Sequence, residues 1–315
     1  MRDGRSSSPK ELMPVHPAAV SDTLLRWARP IGWSTAKEPK DPAAIAGFLR
    51  AACALWRASP NDEVQARQLD QVHALTKVLR SLSRLDKVGA CEHWGPADPL
   101  AALGSGRWGA KFAWSAKNEL FGEEPRAHGG TAVATAAAGH ALLDAYELLV
   151  AAGDLDGSAP LRTAVESAGE WLATDCGYFV HPLGGVVFRA VPSAQHEVYH
   201  ASACAAGFLA RAAAALGRDE WLALAESTLP PLAAAMVEHG GAMAVAKEHA
   251  VVDSEFSAAA LEGLAVLHRA SGSAVVRTTS ETHARCCAPR FLPHWIRLRL
   301  TCGFWYRRSW RCGAA

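Results

Sequence analysis

His196-Glu197-Val198-Tyr199-His200 sets two imidazoles four positions apart with a carboxylate between them. Carried on a helix, the two histidines stand one turn apart on one face and can reach a single Zn²⁺. The glutamate then serves as general base on the metal-bound water. A third ligand is needed, and Glu220, at the start of the next expected helix, can supply it. The same residues also read as the polar N-terminus of a helix facing a cleft, where Glu197 suits the helix dipole. Pro192 and Ser193 place the expected helix start only just before His196. His140, Asp144 and Glu147 share a second polar stripe by their i, i+4 and i+3 spacing, which is expected to be a hydrogen-bonded or solvated face. No G-x-G-x-x-G, no G-x-x-x-x-G-K-[ST] and no G-x-S-x-G occurs, so neither nucleotide binding nor a serine-hydrolase elbow is indicated.

Residues of these kinds need elements to position them, and those elements repeat. Ala43 to Ala58 carries Ile45, Phe48, Leu49, Ala52 and Leu55 at helical spacing. Ser59-Pro60-Asn61-Asp62 stops it, and a partner helix is expected over Val64 to Leu85. Thr131 to Ala152 and Leu161 to Thr174 form a second pair; Tyr199 to Leu216 and Glu220 to Glu238 form a third. A fourth begins at Phe256 and runs to Ala270. Two units share wording, Gly47-Phe48-Leu49-Arg50-Ala51-Ala52 beside Gly207-Phe208-Leu209-Ala210-Arg211-Ala212. A helical hairpin cannot bury its apolar face alone, so stacking hairpins into a ring is the expected remedy. The fold class expected is all-α, an (α/α) helical-hairpin toroid with a small β-hairpin over Gly177 to Phe188, where two apolar strands flank Gly184-Gly185.

Three regions are expected: a disordered lead-in over 1–20, the toroid over 21–274, and an atypical basic tail over 275–315. The tail is rich in Arg, Cys and Trp, has Glu281 as its lone acidic residue, and shows no amphipathic period. It is expected to stand outside the fold. Across the 315 residues, 32 Lys plus Arg balance 31 Asp plus Glu, which calls for neither nucleic acid nor an anionic membrane as partner. The first twenty residues contain basic side chains but no apolar h-region, so a cytoplasmic location is expected by default. The eight cysteines form no C-x-x-C pair, and free thiols are expected. Oligomeric state is open.

Two resemblances add to this reading. His196, His200 and Glu220 resemble the ligand spacing of gluzincin metallopeptidases, which implies zinc as an alternative cofactor. A second resemblance spans about Trp94 to Ala270. Trp108-Gly109-Ala110-Lys111-Phe112-Ala113-Trp114, His128-Gly129-Gly130-Thr131, the Tyr178-Phe179 hairpin, Val198-Tyr199-His200-Ala201-Ser202 and Val252-Asp253-Ser254-Glu255-Phe256 follow in order. That order looks like bacterial six-hairpin toroid proteins related to glycosidases, glucuronyl hydrolases and sugar epimerases, of the polysaccharide- or capsule-associated type. The resemblance implies a saccharide ligand and no cofactor. It implies catalytic candidates His200, Asp253, Glu197 and Glu255, with Trp108, Lys111, Phe112, Trp114, His128, Tyr178 and Tyr199 lining the mouth. Aromatic faces stack on sugar rings, while glycoside cleavage needs a paired acid and base. Glu255-Phe256 stands where that pattern usually has an aromatic followed by His, and His200 where it more often has Asn. A non-catalytic saccharide-binding or scaffold toroid therefore stands beside the enzyme readings.

Overall fold

The computed structural model describes residues 42–83, 106–109, 130–238 and 254–272. The lead-in over 1–20, the tail over 275–315 and the site candidates Lys111, Phe112, Trp114, His128 and Asp253 lie outside the described residues. Helix α1 (Pro42–Ala58) opens on a proline, tolerated where the first-turn N–H has no intrahelical acceptor. Its buried stripe is Ile45, Ala46, Leu49, Ala52, Cys53 and Leu55. Helix α2 (Asp62–Leu82) starts two residues earlier than expected. Asn61 Oδ1 accepts from the amides of Glu63 (2.9 Å) and Val64 (3.1 Å), so the stop signal of α1 is also the N-cap of α2.

Helix α3 (Ala132–Ala151), capped by Thr131, is buried on nearly all sides. By length and composition it could cross a bilayer, but 72% of its apolar window is covered by neighbouring elements. Helix α4 (Leu155–Glu170) begins six residues before the expected Leu161 and carries Pro160 inside it. The reason is the Asp154 carboxylate, which caps Gly157 N at 2.9 Å and so holds a first turn ahead of the proline. The helix ends in a π turn, Trp171–Cys176. Helix α5 (Tyr199–Leu216) ends on Gly217 at φ +71°, a left-handed cap that only glycine adopts without cost. The partner expected as one helix is two, α6 (Asp219–Glu226) and α7 (Leu229–Glu238). Ser227 and Thr228 turn their hydroxyls back onto the Leu224 and Ala225 carbonyls (2.6 and 2.7 Å). Pro230 and Pro231 then fall in the first turn of a new helix. Helix α8 (Ser254–Ser271) completes the described set.

The inner helices run parallel. Arg50 of α1 meets Asp144 of α3, and Arg57, two turns on, meets Glu147. His140 and Asp144 of α3 meet Phe208 and Arg211 of α5. Cys204 Sγ of α5 lies 3.6 Å from the Ala259 carbonyl of α8, and Gly207 lies against Gly263. Arg50 also pairs with Glu262 of α8 at 2.7 Å, linking the last inner helix to the first. Helices α2, α4 and α6 pack outside α1, α3 and α5 respectively, so the architecture is an (α/α) ring of helical hairpins.

The expected β-hairpin is present as β1 (Tyr178–Val180) and β2 (Val186–Phe188), antiparallel, with Tyr178 opposite Phe188 and Val180 opposite Val186. Phe188 is buried, and its amide donates to Ser202 Oγ at 3.1 Å, which seats β2 on α5.

Candidate functional site

Because the inner helices are parallel, the starts of α3, α5 and α8 lie at one end of the ring. That end gathers Thr131, the Glu197-Val198-Tyr199-His200 segment and Glu255, the second residue of α8. The segment entering α5 is shaped by Arg189. Its Nη1 donates to the Ala194 carbonyl (2.8 Å) and the Pro192 carbonyl (3.3 Å), and its guanidinium lies 4.4 Å over the Phe179 ring. The Ala132 amide donates to the Ala190 carbonyl at 2.8 Å, tying the same segment to the start of α3.

Glu197 therefore arrives just before the first residue of α5, at the positive end of the helix dipole. The Tyr199 hydroxyl donates to Glu197 Oε2 at 3.3 Å, and His181 Nε2 stands 3.7 Å from the same oxygen. The His181 and Glu197 side chains are only 9% and 11% exposed. The Leu183 amide donates to His181 Nδ1 at 3.2 Å, so in the neutral ring Nδ1 is the acceptor and Nε2 carries the hydrogen facing the carboxylate. A carboxylate held between an imidazole and a phenol, largely shielded from water, can take up a proton, give it back from the carboxyl form, and accept hydrogen bonds from hydroxyl groups.

Of the expected site residues, Glu197, Tyr199 and His200 come together at this mouth, with Tyr199 and His200 buried. Tyr178 stands on the hairpin, 40% exposed, with its ring edge-on to Phe188. Trp108 does not form a sugar platform. It is 1% exposed, its indole Nε1 donates to the Leu79 carbonyl at 2.8 Å, and its backbone pairs with Thr131 and Thr135. A tryptophan whose N–H has a buried acceptor is a core plug between α2 and α3.

The zinc geometry is not formed. Helix α5 begins at Tyr199, so His196 precedes it and the two histidines do not share a helical face. Glu220 pairs instead with Arg218 Nη1 at 3.3 Å on an exposed turn. Among the described residues no group of three or more His, Cys, Asp and Glu side chains is arranged to hold a metal ion. Burial first of all pushes the Cys53, Cys176 and Cys204 thiols up to about 12, away from the reactive thiolate, and none of the three is in a disulfide.

Sequence reasoning missed two features. His181 sits in a hairpin turn with no motif around it, and the Pro182-Leu183-Gly184-Gly185 turn that follows it is the one available signal. The second feature is an ion-pair hub further along the ring. Asp144 accepts from Arg50 Nε (3.0 Å) and Arg211 Nη2 (2.7 Å), and Arg211 also bonds Glu147 at 2.9 Å. Asp144 and Glu147 of the stripe expected to be a hydrogen-bonded or solvated face are hydrogen-bonded, whereas His140 Nδ1 is buried without a hydrogen-bond partner among the described residues; the arginine partners are what the sequence did not show. His140, one turn earlier, is buried, and burial followed by the Arg50, Arg211 and Arg269 charges holds its pKa well below the usual 6.5.

No family model and no curated sequence matches the chain. Among solved structures it is similar to the unsaturated glucuronyl hydrolase of Bacillus sp. GL1, described as responsible for the degradation of glycosaminoglycan. The identity is 15% and the TM-score 0.49, over 85% of this chain and 66% of that one. A second match, a point variant of UGL with dGlcA-Glc-Rha-Glc, is 17% identical with a TM-score of 0.46, over 85% and 65%. This chain thus spans just under two thirds of the length of either structure.

Proposed function

We propose that this chain is a carbohydrate-active protein, a glycoside hydrolase or sugar epimerase whose acid–base machinery gathers at the N-terminal mouth of the ring. The observation that carries the reading is the Glu197 carboxylate, held by Tyr199 and faced by His181. The motif order from Trp108 to Phe256 adds the resemblance to six-hairpin saccharide enzymes. In this reading Glu197 moves the proton and Tyr199 orients it. The second group that glycoside cleavage or epimerisation requires would be His200 or, as the resemblance implies, Asp253 or Glu255. The ligand is a bacterial saccharide, no metal or cofactor takes part, and the site of action is cytoplasmic.

The test is titration of the protein with a panel of neutral and uronic-acid oligosaccharides, followed by product analysis for wild type and Glu197→Gln. The variant keeps the acceptor for Tyr199 while removing the charge. A loss of about 10²- to 10⁴-fold in turnover with binding retained is expected. Turnover unaffected by Glu197→Gln removes Glu197 from the chemistry, and absence of any saccharide binding overturns the reading. A second reading, a saccharide-binding scaffold without catalysis, is favoured by one observation, the closed packing of Trp108. Binding without turnover is its expected outcome.

A further inference from the structure

We propose that Gly185 is a positioning residue: seated on Ser227 at the α6–α7 break, it anchors the β-hairpin so that His181 is held against Glu197. The chain of contacts is continuous. The Val186 amide donates to the Ser227 carbonyl at 3.0 Å, fixing the base of the turn to the outer helices. Within the turn, the His181 amide donates to the Gly185 carbonyl (3.0 Å) and the Gly184 amide to the His181 carbonyl (2.9 Å). The Leu183 amide then fixes the imidazole through Nδ1, and Nε2 faces Glu197. Position 185 thereby sets where the imidazole sits, although it touches neither Glu197 nor Tyr199.

Glycine is required at 185 for two separate reasons. Its φ is +82°, and a Cβ there would fall 2.0 Å from the Ser227 carbonyl oxygen and 3.4 Å from Pro231 Cδ. Ser227 is fixed in turn, its amide bonded to the Ala223 carbonyl and its hydroxyl to the Leu224 carbonyl, so the hairpin must move instead. Gly184 is an internal control. It has a similar φ of +86°, yet nothing lies within 4 Å of its would-be Cβ. Backbone strain is common to both positions; loss of the seat is specific to 185. The inference rests on the saccharide reading only in taking Glu197 as the group whose setting matters.

The experiment uses the full chain and needs no sugar. His181 ring resonances are recorded by NMR for wild type, Gly184→Ala and Gly185→Ala, each with and without Glu197→Gln. Removing the Glu197 charge should move the His181 signals in the wild-type and Gly184→Ala backgrounds and leave them in place in Gly185→Ala. An equal response in all three backgrounds overturns the proposal. Coupling is reciprocal, so a second measurement reads it from the other end in case Gly185→Ala does not fold. In Glu197→Gln alone, the Val186 amide should exchange with solvent about fivefold faster, the factor matching one net hydrogen bond. Unchanged Val186 exchange overturns the proposal. A failed saccharide titration would sink the functional reading while leaving these outcomes as they stand.

Discussion

Replacing Asp144 with Asn tests whether the ring is held by the ion-pair hub or by apolar packing alone. Asp144 is 13% exposed at its side chain, and its guanidinium partners Arg50 and Arg211 are 14% and 21% exposed. Breaking a fully buried pair by removing one partner costs about 3–5 kcal/mol, whereas an exposed pair is worth about 0–1 kcal/mol. The hub lies nearer the buried limit, but its cations keep other acceptors. Arg211 retains Glu147 at 2.9 Å, and Arg50 retains Glu262 at 2.7 Å, both acceptors more than 40% exposed. Asn also keeps one acceptor oxygen. Asp144→Asn should therefore cost about 2–3 kcal/mol, read as a lower urea midpoint at an unchanged slope. Glu147→Gln, half in solvent, should cost no more than about 0.5 kcal/mol. Equal, small effects from both substitutions would refute the idea that Asp144 joins the inner helices electrostatically.

Further outcomes follow from single contacts. His140 is neutral in the folded ring, so the unfolded chain binds the extra proton. Its stabilising share is complete above about pH 6.5 and is lost as pH falls from there toward the lowered folded value. His140→Leu should flatten urea stability between pH 6.5 and 5, and an unchanged slope there would count against the assignment. Gly207→Ala drives a Cβ to 2.5 Å from the Gly263 carbonyl oxygen and should lower stability by about 1–3 kcal/mol. Gly47→Ala, at an exposed helical site with nothing within 4 Å, should raise it by about 0.5–1 kcal/mol; thermal melts compare the two. Trp108→Ala should cost about 3–5 kcal/mol through the lost volume, whereas a near-neutral effect would return Trp108 to the mouth of the ring.

The helices were legible because each carries its periodicity and caps locally, and where the reading slipped the cause was also local. Asn61 looked like a stop but is equally a start. The helix expected from Leu161 begins at Leu155, because Asp154 holds a first turn ahead of Pro160. The pair of glycine-aromatic phrases shows how far wording reaches. Arg50 and Arg211, one position out of register in the two phrases, both meet Asp144, so the echo marks a common inward face. Yet Gly47 stands in the open while Gly207 is pressed on Gly263. The H-E-x-x-H pattern is not carried on one helix for a related reason. Its spacing has meaning only inside a helix, and α5 starts three residues too late. His181 was illegible because its partner comes sixteen residues later, brought back by a hairpin whose seat is a helix break that the sequence presents as continuous.

The two polar features of the ring are sorted by helix polarity. Glu197 stands at the N-terminus of α5, where the dipole favours a carboxylate, while Arg57 lies in the last turn of α1 and Arg211 in the C-terminal half of α5. Along α5, Arg211 lies twelve positions after Tyr199, the first helical residue, about 18 Å of helix rise beyond the end that Glu197 faces. At the hub, the Arg50, Arg57 and Arg211 guanidinium groups pair with the Asp144, Glu147 and Glu262 carboxylates. At the mouth, Glu197 meets the His181 imidazole and the Tyr199 phenol. Substitutions at the hub should therefore register in stability and leave saccharide binding at the mouth unchanged. Glu197→Gln should do the reverse, and a variant that moved both readouts together would show that the two ends of the ring act as one unit.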